Sequence, residues 1–369
     1  MTRIRRHLHT TTRKSFMHKH EFHHLSGKDE RSILNCRGGV RFLGFPASVS
    51  KFMTEFDWVS ALSELGDVTF TALRQELCRF WSNFAELKPE QFKFGHGSMQ
   101  VLERINKVFI DPGTKVMGNS PQFVEYVTEL MMSGANYEGV RLNPADGFRF
   151  DVNKFSSQMR KDVCLVYLDN PNNPTGQLIG LPEVEQITRE SRKRDAVVIV
   201  DEAYGDYMDN ENSAINLVNK YDNLILIRTF TKGYQFASLR VGYGLFPQKL
   251  GEYYDKVDLP FPIPAIGSYM AAEALRDQDF IPRIKTRIAS IKGEIITSLR
   301  QKGYLISNTL ESCPIFLMGV EDRNIDLKNY LLSKRILTIS GSDYLDLGPN
   351  YVRITIPESA QDLLDRLED

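Results

Sequence analysis

The chain has 369 residues, 42% of them hydrophobic and 25% charged, with a formal net charge of -1. This is the composition of a globular enzyme with room for two domains, without the basic excess that nucleic-acid binding requires. No apolar run reaches membrane-spanning length, and four scattered cysteines (Cys36, Cys78, Cys164, Cys313) form no metal-binding spacing, which fits reduced thiols in the cytoplasm.

The chain opens on a basic stretch. Residues 1–24 hold six of the seven histidines, and the first acid is Glu21. A mobile arm over 1–31 is expected, although an Arg- and Thr-rich, acid-poor composition also marks organelle transit peptides. His18, His20, His23 and His24 lack a cysteine or carboxylate frame, so no metal site is expected. Further on, Val101, Leu102, Ile105, Val108 and Phe109 follow Gly95-His-Gly-Ser98 at helical spacing. The free N–H groups of that helix start suit an anion. Val163–Asp169, Ala196–Asp201 and Asn223–Phe230 are short, apolar and β-branched, as strands buried on both faces of a parallel sheet are. Pro182 suits the first turn of a helix running to about Arg194. From about residue 266, amphipathic helices mix with strands at Cys313–Val320 and Tyr351–Ile356.

The three central strands each end at or near a polar motif, where open α/β sheets bind ligands. The motifs are Asn170-Pro-Asn-Asn-Pro-Thr-Gly176, Asp201-Glu-Ala-Tyr204, Thr229-Phe-Thr-Lys232, and Arg240 within Leu-Arg-Val-Gly-Tyr-Gly244. Alone, each has a plainer reading: a solvated lysine, a satisfied strand-end carboxylate, a packing tyrosine, a turn. In this order, the set resembles the pyridoxal 5′-phosphate enzymes of the aspartate aminotransferase superfamily.

That resemblance implies an α/β fold of the aspartate-aminotransferase-like type. A large domain (53–265) is built on a mostly parallel sheet, and a smaller α/β domain combines 32–52 with 266–369. Lys232 is then the residue that holds the cofactor's aldehyde as a Schiff base and shuttles the substrate's α-proton. Asp201 pairs with the pyridine nitrogen. Asn173 and Tyr204 donate to the 3′ oxygen. Gly97, Ser98, Met99, Thr229 and Arg240 cup the 5′-phosphate.

Within the superfamily, the chain is most similar to the branch of histidinol-phosphate aminotransferase and threonine-phosphate decarboxylase. The likeness rests on Phe42-Leu-Gly-Phe-Pro-Ala-Ser-Val49, Pro121-Gln-Phe-Val-Glu-Tyr126, Leu331–Leu337 and Tyr351-Val-Arg-Ile-Thr355. It implies that Phe123 stacks on the cofactor ring and Arg353 grips the substrate carboxylate. Three positions depart from the pattern. Ile339 stands where an arginine would bind a substrate phosphate. Arg41-Phe42 replaces Asn-Pro. Leu65 replaces the tyrosine that reaches the partner subunit's cofactor phosphate. Arg37 and Arg41 either reshape the substrate end or are surface charges, with Arg41 the next carboxylate candidate after Arg353.

The expected function is therefore an aminotransferase acting on an amino acid without a side-chain phosphate, assembled as a homodimer. Decarboxylation, elimination by a lyase, or cyclisation on the same fold are the alternatives. A cofactor-binding transcriptional regulator would need a DNA-binding domain, for which the N-terminal arm is too short.

Overall fold

Alternation within the central strands decides the layering. In Val197-Val198-Ile199-Val200, residues 197 and 199 pack with Leu165, Tyr167, Ile225 and Ile227. Residues 198 and 200 pack on the opposite face with Val166, Leu168, Leu224 and Leu226. Both faces are covered, so the strands read as continuous apolar runs. The computed structural model describes residues 8, 33–40, 42, 44–63 and 66–368. The His-rich arm expected over 1–31, along with Arg41 and Leu65, lies outside the described residues apart from Leu8.

Among the described residues the strands are β1 (Leu34–Asn35), β2 (Phe92–His96), β3 (Lys115–Ser120), β4 (Asn136–Arg141), β5 (Val163–Asp169), β6 (Val197–Asp201), β7 (Leu224–Thr229) and β8 (Val241–Leu245). They continue with β9 (Leu305–Ile306), β10 (Ile315–Gly319), β11 (Ile336–Leu337), β12 (Ile339–Ser340) and β13 (Tyr351–Thr355). A seven-stranded sheet runs in the order β2-β8-β7-β6-β5-β3-β4. Only β8 opposes its neighbours; the other pairings are parallel. The second sheet is antiparallel, in the order β12-β13-β10-β9, and β1 pairs in parallel with β11. These are the mostly parallel sheet and the smaller α/β layer expected of the fold.

Element ends agree with the sequence expectation to within two residues, and Val163–Asp169 agrees at both ends. The helix predicted to run to about Arg194 spans Leu181–Arg192. It stops because Asp195 turns left-handed and Ala196 donates back to the carbonyl of Ser191. The strand expected from Cys313 begins at Ile315, after Pro314, which has no N–H to pair. The helix Ala47–Glu55 packs against helix Ala265–Ala274, which in turn packs against helix Thr71–Trp81 and β8. No helix among the described residues is long and apolar enough to cross a membrane.

The two sheets are tied where it matters for the ligand cavity. Ser307 Oγ donates to the carbonyl of Thr175, and Leu310 N–H to that of Gly176. Behind this seam, Lys292 of helix Phe280–Gln301 is 1% exposed. Its ammonium donates to Thr309 Oγ1 (2.6 Å) and to the carbonyls of Leu310 (2.7 Å), Cys313 (2.7 Å) and Ile315 (3.1 Å). Burial pulls it down to about 8. Replacing Lys292 with Met keeps the length but strands these oxygens. A loss of roughly 1–3 kcal/mol is expected, seen as a lower denaturation midpoint. An unchanged midpoint would mean that the buried ammonium contributes nothing to holding the seam.

Candidate active site

Parallel strands deliver their last residues to one edge of the sheet, and the sheet order then sets who stands beside whom. In sequence the residues at this edge come as Gly97, Phe123, Asp169, Asp201, Thr229, Arg240. Across the sheet they become Gly97 (after β2), Arg240 (before β8), Thr229 (end of β7), Asp201 (end of β6), Asp169 (end of β5) and Phe123 (after β3). Helix-start N–H groups and a guanidinium thus gather at one side. The carboxylates lie two to four strands away, about 10–19 Å at the usual strand spacing.

A cavity of about 430 Å³ opens at this edge. Gly97, Ser98, Met99, Phe123, Asn173, Asp201, Tyr204, Thr229, Lys232, Arg240 and Arg353 all line it. These are the predicted site residues with the exception of Arg41, which the structure does not describe. Arg37, Gly38, Gly39, Glu125 and Asp169 line it as well.

At the cationic side, helix Ser98–Phe109 begins directly after Gly97. Gly97 has a φ of 70°, and its N–H donates to the Arg240 carbonyl at 2.9 Å. Arg240 Nη2 in turn donates to the His96 carbonyl at 3.2 Å, which holds the guanidinium over the helix start. Thr229 Oγ1 is fixed between Thr231 Oγ1 (2.8 Å) and the Val241 carbonyl (3.1 Å). Hydroxyls, backbone donors and a guanidinium in one place suit a phosphate.

At the other side, Asp201 is 1% exposed and burial pushes it up to about 6. Tyr167 OH (2.9 Å) and Ala203 N–H (3.0 Å) donate to it, and the charge of Lys232 also favours its ionised form. The Lys232 ammonium sits 5.2 Å from the centre of the Tyr204 ring. Asn173 Oδ1 accepts from Tyr344 OH (3.2 Å) and Arg353 Nη1 (3.3 Å). Its NH₂ is therefore the end suited to an oxygen of a ligand. Arg353 is 3% exposed, and its second arm donates to the Arg37 carbonyl.

The residues fit pyridoxal 5′-phosphate on their own chemistry. A buried carboxylate with a raised affinity for protons calls for a cationic partner such as a pyridinium. The anion cup lies across the cavity from it, and Gly97 leaves room that a Cβ would fill. Sequence reasoning missed Asp169 and Tyr167. Asp169 carried one signal, its place as the last residue of β5 before the Asn-Pro turn. Tyr167 carried none, since its role depends on the neighbouring strand.

A sequence model of the family "Aminotransferase class I and II" matches residues 55–368. A histidinol-phosphate aminotransferase of Limosilactobacillus fermentum is 35% identical over 194 residues, 52% of this chain and 53% of that protein. The histidinol-phosphate aminotransferase of Brevibacillus brevis is 30% identical over 283 residues, 76% of this chain and 75% of that protein. In three dimensions the chain is similar to the aspartate aminotransferase of Thermotoga maritima, with a TM-score of 0.83, 21% identity and 99% of both chains covered.

Gly97→Ala would set a Cβ 2.7 Å from Arg240 Nη2 and force an L side chain into a glycine-only conformation. Affinity for pyridoxal phosphate should fall by about tenfold or more. Absorbance titration of the apoprotein checks this; wild-type affinity would remove Gly97 from the anion cup.

Proposed function

Since the chain belongs to the class I and II aminotransferases and is a pyridoxal-phosphate-dependent enzyme, we propose that it transaminates an α-amino acid lacking a side-chain phosphate, with Lys232 as the catalytic amine. The arrangement around the cavity carries this reading: the anion cup at β2 and β8, Lys232 after β7 and Asp201 at the end of β6, and Arg353 of the second sheet bonded to Asn173.

When bound, the cofactor supplies an aldehyde that links to amines and a pyridinium that draws electrons from the substrate's α-carbon. The chain's own residues do the rest. Ser98, Met99, Thr229 and Arg240 hold the phosphate. Phe123 would stack on the ring, and Asn173 and Tyr204 would donate to the 3′ oxygen. Asp201 holds the proton on the ring nitrogen, and its burial strengthens that pairing. Lys232 Nζ would take the proton from the substrate's α-carbon and pass it to the carbon that bore the cofactor's aldehyde, so that the amine stays with the cofactor and a keto acid leaves. Arg353 orients the substrate through its carboxylate.

The relatives are named for histidinol phosphate, a phosphorylated amine. Ile339 supports a different substrate here. It lies opposite Arg353 in the β12–β13 register, and opposed residues of an antiparallel pair share a face. It is 1% exposed and packs with Val124, Leu317 and Tyr344. An apolar side chain at this place leaves a phosphate dianion poorly solvated.

Two copies are expected to assemble. Val59 (78% exposed), Val68, Leu259 and Phe261 present apolar surface on segments near helix Ala265–Ala274. Light scattering should give a dimer, and an active monomer would refute it. The four cysteines are free thiols, which supports a reducing cytoplasm. A large domain over 53–265 and a small one of 32–52 with 266–369 are part of this proposal, supported by the separate seven-stranded and four-stranded sheets.

Lys232→Ala should abolish turnover, and borohydride reduction of the wild type should leave the pyridoxyl label on Lys232. Label on another lysine overturns the assignment. Arg353→Ala should raise KM roughly tenfold or more, with a smaller effect on cofactor affinity. Unchanged kinetics would put the carboxylate elsewhere, with Arg41 next in line. In single turnovers, substrate should convert bound cofactor to its amine form and release a keto acid. Efficient turnover of histidinol phosphate or threonine phosphate would contradict the non-phosphorylated substrate.

A further inference from the structure

Two buried carboxylates stand side by side at this edge, and the mechanism uses only one. Asp169 ends β5 in direct register with Asp201 at the end of β6. It is 4% exposed and lines the same cavity. Its Oδ2 accepts from the backbone N–H of Phe123 (3.1 Å) and of Asn173 (2.9 Å). Its Oδ1 accepts from Asn172 Nδ2 (2.8 Å).

These donors come from two different loops. The β3–β5 pairing ends at Gly118↔Tyr167. Beyond it β3 and β5 part, β3 running on beside β4 to Ser120 and β5 beside β6 to Asp169, and the loops that follow carry Phe123 on one side and Asn173 on the other. Gln122 bridges the start of the gap by donating to the Tyr167 carbonyl at 2.9 Å. Asp169 bridges its far end, where both cofactor-facing side chains begin.

Only an acceptor on both oxygens satisfies three converging donors, which is why a carboxylate suits the place. Burial pushes Asp169 up to about 7, and the charge of Asp201 adds to that, while donors from Asn173, Asn172 and Gln122 favour the anion. Tyr137 and Tyr167 are further titratable groups that sense its charge, and Asp201 faces it from β6.

We propose that Asp169 is a positioning residue that fixes Phe123 and Asn173 against the cofactor ring. This rests on the reading of the cavity as the cofactor site. Asp169 touches neither the reacting bond nor the phosphate, so its effect is on how the ring is held.

The test uses Asp169→Ala and Asp169→Asn in the full chain, after borohydride labelling of Lys232 in the wild type. Alanine leaves both backbone N–H groups without an acceptor. Asparagine keeps one oxygen for them and loses the bond from Asn172. Affinity for pyridoxal phosphate, from absorbance titration of the apoprotein, should weaken about tenfold in Asp169→Ala and less in Asp169→Asn. At saturating cofactor, the visible circular dichroism band should shrink in the same order, while the far-ultraviolet spectrum of the apoproteins stays as in the wild type. A purely structural role would leave the visible band of the loaded protein unmoved. Wild-type affinity together with an unchanged visible band in both variants overturns the proposal. If Asp169→Ala yields no folded protein, Asp169→Asn decides on the same two readouts. Absence of label on Lys232 in the wild type would overturn the cofactor site and this inference together; label on Lys232 with silent Asp169 variants overturns this inference alone.

Discussion

A carboxylate sealed at the end of an inner strand sets the terms for the whole site. Asp201 sits on β6, which has β5 on one side and β7 on the other, so water reaches it poorly. Burial drives it upward, and burial likewise drives Asp169 beside it upward. Both folded-state shifts are upward from 3.8. The cost to stability is therefore absent below the ordinary carboxylate range and fully present above about 6 for Asp201 and about 7 for Asp169. Above those values the folded chain holds strained negative charge, and a cationic ring is what relieves it.

The surroundings keep that carboxylate in place. Tyr167 and Ala203 hold its oxygens. The next residue, Glu202, is locked by Arg228 (3.0 Å), Ser213 Oγ (2.7 Å) and Ala214 N–H (2.7 Å). Arg228 immediately precedes Thr229, so this pair ties the end of β6 to the end of β7. Breaking one member would leave a buried charge unmatched, which is the costly way to lose an ion pair. The rigid strand ends then present Asp201, Thr229 and the loop of Lys232 in fixed relation.

Much of this was legible in the sequence because the chemistry is carried by residue types at strand ends. Asn173, Asp201 and Lys232 are polar residues that end or follow the apolar runs 163–169, 196–201 and 223–230, and each run became the strand expected of it; Arg240 instead precedes β8, which no apolar run had announced. What stayed hidden depends on pairing across strands. Nothing local marks Tyr167 as a donor to Asp201, or Asp169 as the acceptor that joins the loops of Phe123 and Asn173. Lys292 reads as an ordinary helix-surface lysine until the loop 309–315 closes over it. The substitution at Ile339 was visible, but its place opposite Arg353 required the β12–β13 register.

The central claim is that Asp201 keeps a proton on the cofactor's ring nitrogen. Nitrogen-15 NMR of protein reconstituted with ring-labelled pyridoxal phosphate reads that proton directly. The wild type should give the shift of a protonated pyridinium at neutral pH, and Asp201→Asn, loaded with the same cofactor, should give that of a neutral pyridine. Identical shifts in the two proteins, or a neutral ring nitrogen in the wild type, would contradict the account.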